Sequence, residues 1–162
     1  MRLSWIAAFG VLILALPLAA EVSSARRDTT STGKAVPFIT VSSGASTKHP
    51  PRNRLYLARS LSATRPWSRW LTADGRNALR AVDFDRYGVV AAFRLQKSTG
   101  LGITRIARAR KTLGLWLAVP KPAAPDPKAL TLGAYHVVKV QRRYLRNVSR
   151  LVVSGVTVWT GP

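Results

Sequence analysis

Residues 89–120 read VVAAFRLQKSTGLGITRIARARKTLGLWLAVP, two apolar stretches on either side of Lys97-Ser98-Thr99-Gly100, followed by a run of Arg and Lys. Val89, Ala91, Phe93 and Leu95 recur at every second residue while Arg94 and Gln96 fall on the opposite side, which is the period of a β-strand. Thr99-Gly100 marks a turn, and Gly100 and Gly102 are placed to take backbone angles that a side chain would forbid. The return strand LGITRIARAR is less regular, so the stretch predicts a central strand pair closed by Thr99, Gly100 and Gly102. Beyond it, TLGLWLAV sets Leu113, Leu115, Leu117 and Val119 on one face and Trp116 on the other.

Outward from this centre the β signal continues. PKPAAPDPK cannot be a central strand, because proline donates no backbone hydrogen bond, and reads as a long loop. AYHVVKVQ resumes the alternation, and RLVVSGVTVW supplies a last strand after the polar stretch RRYLRN. On the other side, VPFITV at 36–41 and RLYLARS look like strands separated by the loop SSGASTKHPPRN. In SATRPWSRWLTADGRNALRAV, Thr64 is positioned to cap a short helix that sets Trp67, Trp70 and Leu71 on one face and ends at Asp74-Gly75. Tryptophans at that spacing are expected in a core rather than around a ligand. The pattern predicts a mainly β fold, α+β with one short helix, in which the strands form a small closed or partly closed antiparallel β-barrel or sandwich.

The N-terminus sets the expected compartment. Arg2, the apolar run from Trp5 to Leu18 with Pro17 near its end, and small residues at Ala19, Ala20 and Ala25 have the layout of a secretory signal peptide. The run is shorter than the roughly 20 residues a membrane-spanning helix needs, so cleavage after Ala20 or Ala25 and no membrane span in the mature chain are expected. The division that follows is a signal peptide at 1–20, a flexible leader at 21–35 poor in large apolar side chains, and a single β-rich domain at 36–160. The chain is expected to be secreted, or to reside in the periplasm or cell envelope. It contains no Cys, so neither disulfides nor a lipid-bearing cysteine are available to it. Its charge is extreme, with 26 Lys and Arg against 6 Asp and Glu among 162 residues. Such a surface attracts anions of any kind, including wall polymers, lipid headgroups, nucleic acid and acidic proteins.

The order of motifs between residues 82 and 141 resembles the C-terminal domain of the PrcB family, a protease complex subunit. Val82-Asp83-Phe84, the turn Lys97-Ser98-Thr99-Gly100, the loop from Pro120 to Pro127 and Tyr135-His136-Val137-Val138-Lys139 stand where that family has its opening, its glycine turn, its proline-rich loop and its closing strand. Leu101 and Gly102 depart from the family's glycine-aromatic pair after the turn, and Ala134 replaces its proline. The resemblance implies an exported, non-catalytic subunit associated with a protease.

The titratable residues point the same way. There are two histidines: His49 lies in a proline-flanked loop, and His136 shares a strand face with Val138 and Val140, where a packed or hydrogen-bonded role is expected. Asp83 and Asp85 are spaced to hold a cation or a nearby Arg, and in so basic a chain the Arg is expected. No nucleophile elbow, zinc-binding helix or Gly-rich phosphate loop occurs, so the chain is read as no enzyme, with no cofactor and no metal. The candidate site is basic: Arg105, Arg108, Arg110 and Lys111 in one segment, and Arg142, Arg143, Arg146 and Arg150 in another, form one anionic-ligand surface if the segments meet. Trp116, Tyr144 and Trp159 are expected in core or edge packing rather than base stacking, which makes nucleic acid a poor fit. Two functions follow. The first is an accessory domain that binds or stabilises another exported protein, and the second is a cationic binder of envelope polyanions or extracellular nucleic acid.

Overall fold

The computed structural model describes residues 33–47, 53–94, 100–120 and 133–159. The signal-peptide segment, most of the leader, His49, Thr99 and most of the proline-rich loop lie outside these described residues.

Among the described residues, eight strands form two four-stranded sheets. The strands are β1 (Lys34–Ala35), β2 (Phe38–Ala45), β3 (Arg54–Ala58), β4 (Tyr87–Arg94), β5 (Gly102–Ala109), β6 (Thr112–Pro120), β7 (Ala134–Gln141) and β8 (Arg150–Trp159). The first sheet runs β1-β5-β6-β8 and the second β2-β7-β4-β3. Neither closes into a barrel, and the mainly β reading stands as a sandwich. Three short helices join them: α1 (Arg65–Ser68), α2 (Ala73–Arg80) and α3 (Arg142–Leu145).

The second sheet is covered on both faces. Val90 and Ala92 of β4, with Val138 and Val140 of β7, meet Ile103, Ile106, Leu113, Leu115 and Leu117 of the first sheet in one core. Val89, Ala91 and Phe93, with Tyr135 and Val137, meet Trp67, Trp70, Leu71 and Leu79 in another. The molecule is therefore three-layered, sheet on sheet on helices, and the two tryptophans are core, 1% and 5% exposed. Phe93 lies edge-on to both, at centroid distances of 5.9 and 5.3 Å.

β4 and β5 do not form the expected pair. β4 lies between β3 and β7, while β5 pairs with β1 and β6 in the other sheet. Alternation identifies a strand but not its neighbour, and a strand apolar on both faces belongs inside a sheet with cover on each side. The tight hairpin is β5–β6, closed by Arg110 and Lys111 between the partners Ala109 and Thr112. Arg110 takes φ 53°, the left-handed region. Gly102 does not: it opens β5, and a Cβ there would sit an ordinary 3.9 Å from Ala118. Lys34 and Ala35, read as the end of the leader, pair with Arg108 and Ala107 as β1.

Further details differ from the sequence reading. β2 runs on through Ser42 and Ala45, residues assigned to a loop. Thr64 caps nothing; its hydroxyl donates to Leu61 O at 2.6 Å, and Thr72 caps α2 by accepting from Gly75 N–H at 3.1 Å. Asp74-Gly75 thus begins a helix instead of ending one, with the Asp74 carboxylate in the first turn, where the helix dipole favours it. Finally, β8 runs parallel to β6, because the chain leaves β6, crosses to β7 in the other sheet and returns through α3.

A basic corner and an uncovered strand face

The two basic segments meet. The Arg108 guanidinium donates to Arg110 O at 3.1 Å, Arg143 O at 3.4 Å and Arg146 O at 2.6 Å, tying the β5–β6 turn to α3. Ser149 N–H and Arg150 N–H both reach Lys111 O, at 2.9 and 3.2 Å, so the start of β8 joins the same corner. Arg108, Arg110, Lys111, Arg142, Arg143, Arg146 and Arg150 are thereby gathered at one end of the sandwich. Arg105 sits farther along β5, with its guanidinium 4.5 Å from the centre of the Trp116 ring. Arg143 lies similarly over Tyr144, at 4.8 Å.

Part of this charge is structural. Arg108 spends its donors on backbone carbonyls, and so does Arg59, which donates to Leu145 O at 3.2 Å and Val148 O at 2.5 Å. Nothing in the sequence singles out Arg59, which stands just after a strand like any solvated arginine. An open cavity of about 530 Å³ beside it is lined by Arg142, Arg143, Arg146 and Asn147, with Asp85 as the one acid among the described residues. Four arginines around one carboxylate leave an excess of positive charge, an arrangement suited to phosphate, sulfate or carboxylate groups.

Two titratable side chains, His136 and Asp83, are engaged in the fold. His136, 6% exposed, accepts from Ile103 N–H at 2.6 Å through Nδ1, which puts the ring proton on Nε2, 3.0 Å from Thr40 Oγ1. The ring thus joins the two sheets from the interior. Burial lowers its pKa, because the charged form loses water. Asp83 meets backbone rather than a guanidinium: its Oδ1 accepts from Asp85 N–H at 2.9 Å and Arg86 N–H at 3.4 Å and shapes the turn before β4. Among the described residues there is no cluster of three or more His, Cys, Asp or Glu side chains able to hold a metal. Among the same residues, no helix is long and apolar enough to cross a membrane.

The second feature is apolar. Register with β6 pairs Leu115 with Val153, Leu117 with Val156 and Val119 with Val158, so these valines face the side of the sheet that carries the core. Yet Val153, Val156 and Val158 are 48%, 55% and 60% exposed, while their β6 partners are buried. The cause is a mismatch of edges. β8 has ten residues and β3, the edge of the facing sheet on this side, has five. They flank a groove of about 700 Å³ lined by Leu55, Leu57, Leu151, Arg54, Arg59 and Arg150, and past Leu151 the valines stand uncovered. Trp159, expected in packing, has no described side chain.

In comparisons with protein-family models, curated proteins and solved structures, nothing matches this chain.

Proposed function

We propose that the protein is an exported, non-catalytic accessory domain that binds or stabilises another exported protein, with a protease as the partner that the PrcB resemblance implies. The observation that carries this reading is the row Val153, Val156 and Val158, which lies on a core-facing surface and is left to solvent. Contiguous apolar surface of this kind marks sites of association. The engagement of His136 and Asp83 in the fold adds support, since each of these two side chains is already holding backbone. Export rests on the signal-peptide pattern of residues 1–20.

A second reading, a cationic binder of envelope polyanions, is favoured by the basic corner, where Arg108 joins the two segments and Arg142, Arg143 and Arg146 line one cavity. Salt separates the two. Capture from the exported fraction of the native organism, washed at low salt and at roughly 0.5 M salt, distinguishes contacts to charged groups, which are lost as salt rises, from an interface with an apolar core, which is kept. One defined protein retained at high salt supports the accessory domain. Broad anionic capture that disappears at high salt supports the polyanion binder instead.

A further inference from the structure

We infer that the ligand of the uncovered face is an extended polypeptide segment that pairs with the free edge of β8, apolar at alternate positions beside Val153, Val156 and Val158 and acidic where it passes Arg54 and Arg150. The inference rests on the reading of this domain as a protein binder.

Backbone chemistry comes first. Among the described residues β8 pairs on one side only, with β6, so within the described sheet the N–H and C=O groups along its other edge have no strand partner. Edge strands are ordinarily blunted by Lys, Pro or inward-pointing charge. RLVVSGVTVW has neither Lys nor Pro, and its single charge, Arg150, stands at one end. A bulge interrupts the pairing with β6 at Ser154, whose buried Oγ has no hydrogen-bond partner among the described residues. An added strand brings backbone donors and acceptors to this edge.

Side chains then set what that strand must carry. A strand paired to β8 turns every second residue toward the valine face, where cross-strand neighbours lie within contact distance. Those positions call for apolar or β-branched residues. At the other end the groove is lined by Arg54, Arg59 and Arg150. Arg59 is occupied by Leu145 O and Val148 O, whereas no described carboxylate pairs with Arg54 or Arg150. The described acids are Asp74 in α2 and Asp83 and Asp85 before β4, none of them in the groove lining. Glu or Asp in the incoming segment complements the two arginines and fixes its register. A second copy of this chain is the weaker occupant, because pairing two β8 edges brings together chains of formal charge +20 and offers Arg150 no acid.

The probes are synthetic decapeptides of alternating Val and Thr, N-methylated along one edge to prevent self-pairing. One carries two Glu at an end and its counterpart two Lys, with the pair placed at either terminus to read strand direction. Binding to the full protein is followed by amide hydrogen exchange and fluorescence anisotropy. The expected result is protection of β8 amides by the Glu peptide, with binding at least about tenfold weaker for the Lys peptide and for Val156→Lys or Arg150→Glu. Each substitution sits at an exposed site, and unchanged thermal melting confirms that the fold is retained.

Several outcomes overturn the inference. These are equal binding of the two peptides, no binding of either, protection confined to other strands, or a dimer in sedimentation that shields β8 without peptide. Retention of an exported protein at high salt regardless of Val156→Lys sinks the edge assignment while the accessory reading stands. Peptide binding at β8 with no exported protein captured does the reverse.

Discussion

At the residue scale, His136 and two arginines show how little polar chemistry this fold leaves idle. Burial lowers the His136 pKa in the folded protein, so the unfolded chain binds the extra proton first as pH falls. The neutral ring's contribution is complete above the ordinary value of about 6.5 and is lost progressively as pH falls below it. Urea unfolding from pH 8 to pH 5.5 is expected to show a falling midpoint, and His136→Gln a flatter one. At pH 8 that variant is expected to be less stable by about 1–3 kcal/mol, because Ile103 N–H loses its acceptor. A wild-type midpoint that rises toward pH 5.5 would contradict the neutral, interior role. Arg110 holds φ 53°, which costs a residue with a Cβ about 1 kcal/mol, so Arg110→Gly is expected to stabilise by a similar amount in the same assay. Arg108→Lys keeps the charge but loses the planar fork that reaches three carbonyls. It is expected to lower stability by about 1–2 kcal/mol, whereas an unchanged midpoint would mean that the corner is held by other contacts.

At the element scale, most strands were legible from the two-residue period of their apolar side chains, and their partners were not. RLYLA, YGVVAAFR, TLGLWLAV and AYHVVKVQ all announce themselves, because β-branched and aromatic residues alternate or run together in them. The β4–β5 pairing failed because a glycine after Thr99 fits a link between sheets as well as it fits a hairpin. The β5–β6 hairpin carried no signal at all, since Arg-Lys is not a dipeptide that favours left-handed backbone. The second helix was missed because Asp-Gly is a common turn pair, and only the tertiary contact explains the glycine. A Cβ on Gly75 would lie 2.7 Å from the Tyr135 hydroxyl and 2.9 Å from Ser42 Oγ, inside a bonded knot that includes Thr72. Gly75→Ala gains helix propensity and is nevertheless expected to destabilise by about 1–3 kcal/mol, as overpacking does. A gain in stability would show that the knot opens without cost.

At the scale of the whole molecule, two properties compete for the surface. A formal charge of +20 repels itself, and raising salt is expected to raise the thermal midpoint by screening that repulsion. A midpoint that falls with salt would mean that attractive pairs outweigh the repulsion. The basic candidates were legible as a cluster, and the structure gathers all but Arg105 at one corner. Their division of labour was hidden, because an arginine that caps carbonyls, such as Arg108 or Arg59, reads in sequence like one that is free. The valine face was equally hidden. Alternating valines in RLVVSGVTVW describe a covered strand and an uncovered one alike, and the difference lies in the short β3 of the facing sheet. The measurement that bears most directly on function is therefore parallel capture of exported proteins by the wild-type protein and by Val156→Lys, washed at roughly 0.5 M salt to remove purely ionic contacts. One defined protein held by the wild type and lost with Val156→Lys is the expected result. Equal retention by both, or loss of every protein from the wild type at that salt, would contradict the assignment of this face as the partner-binding surface.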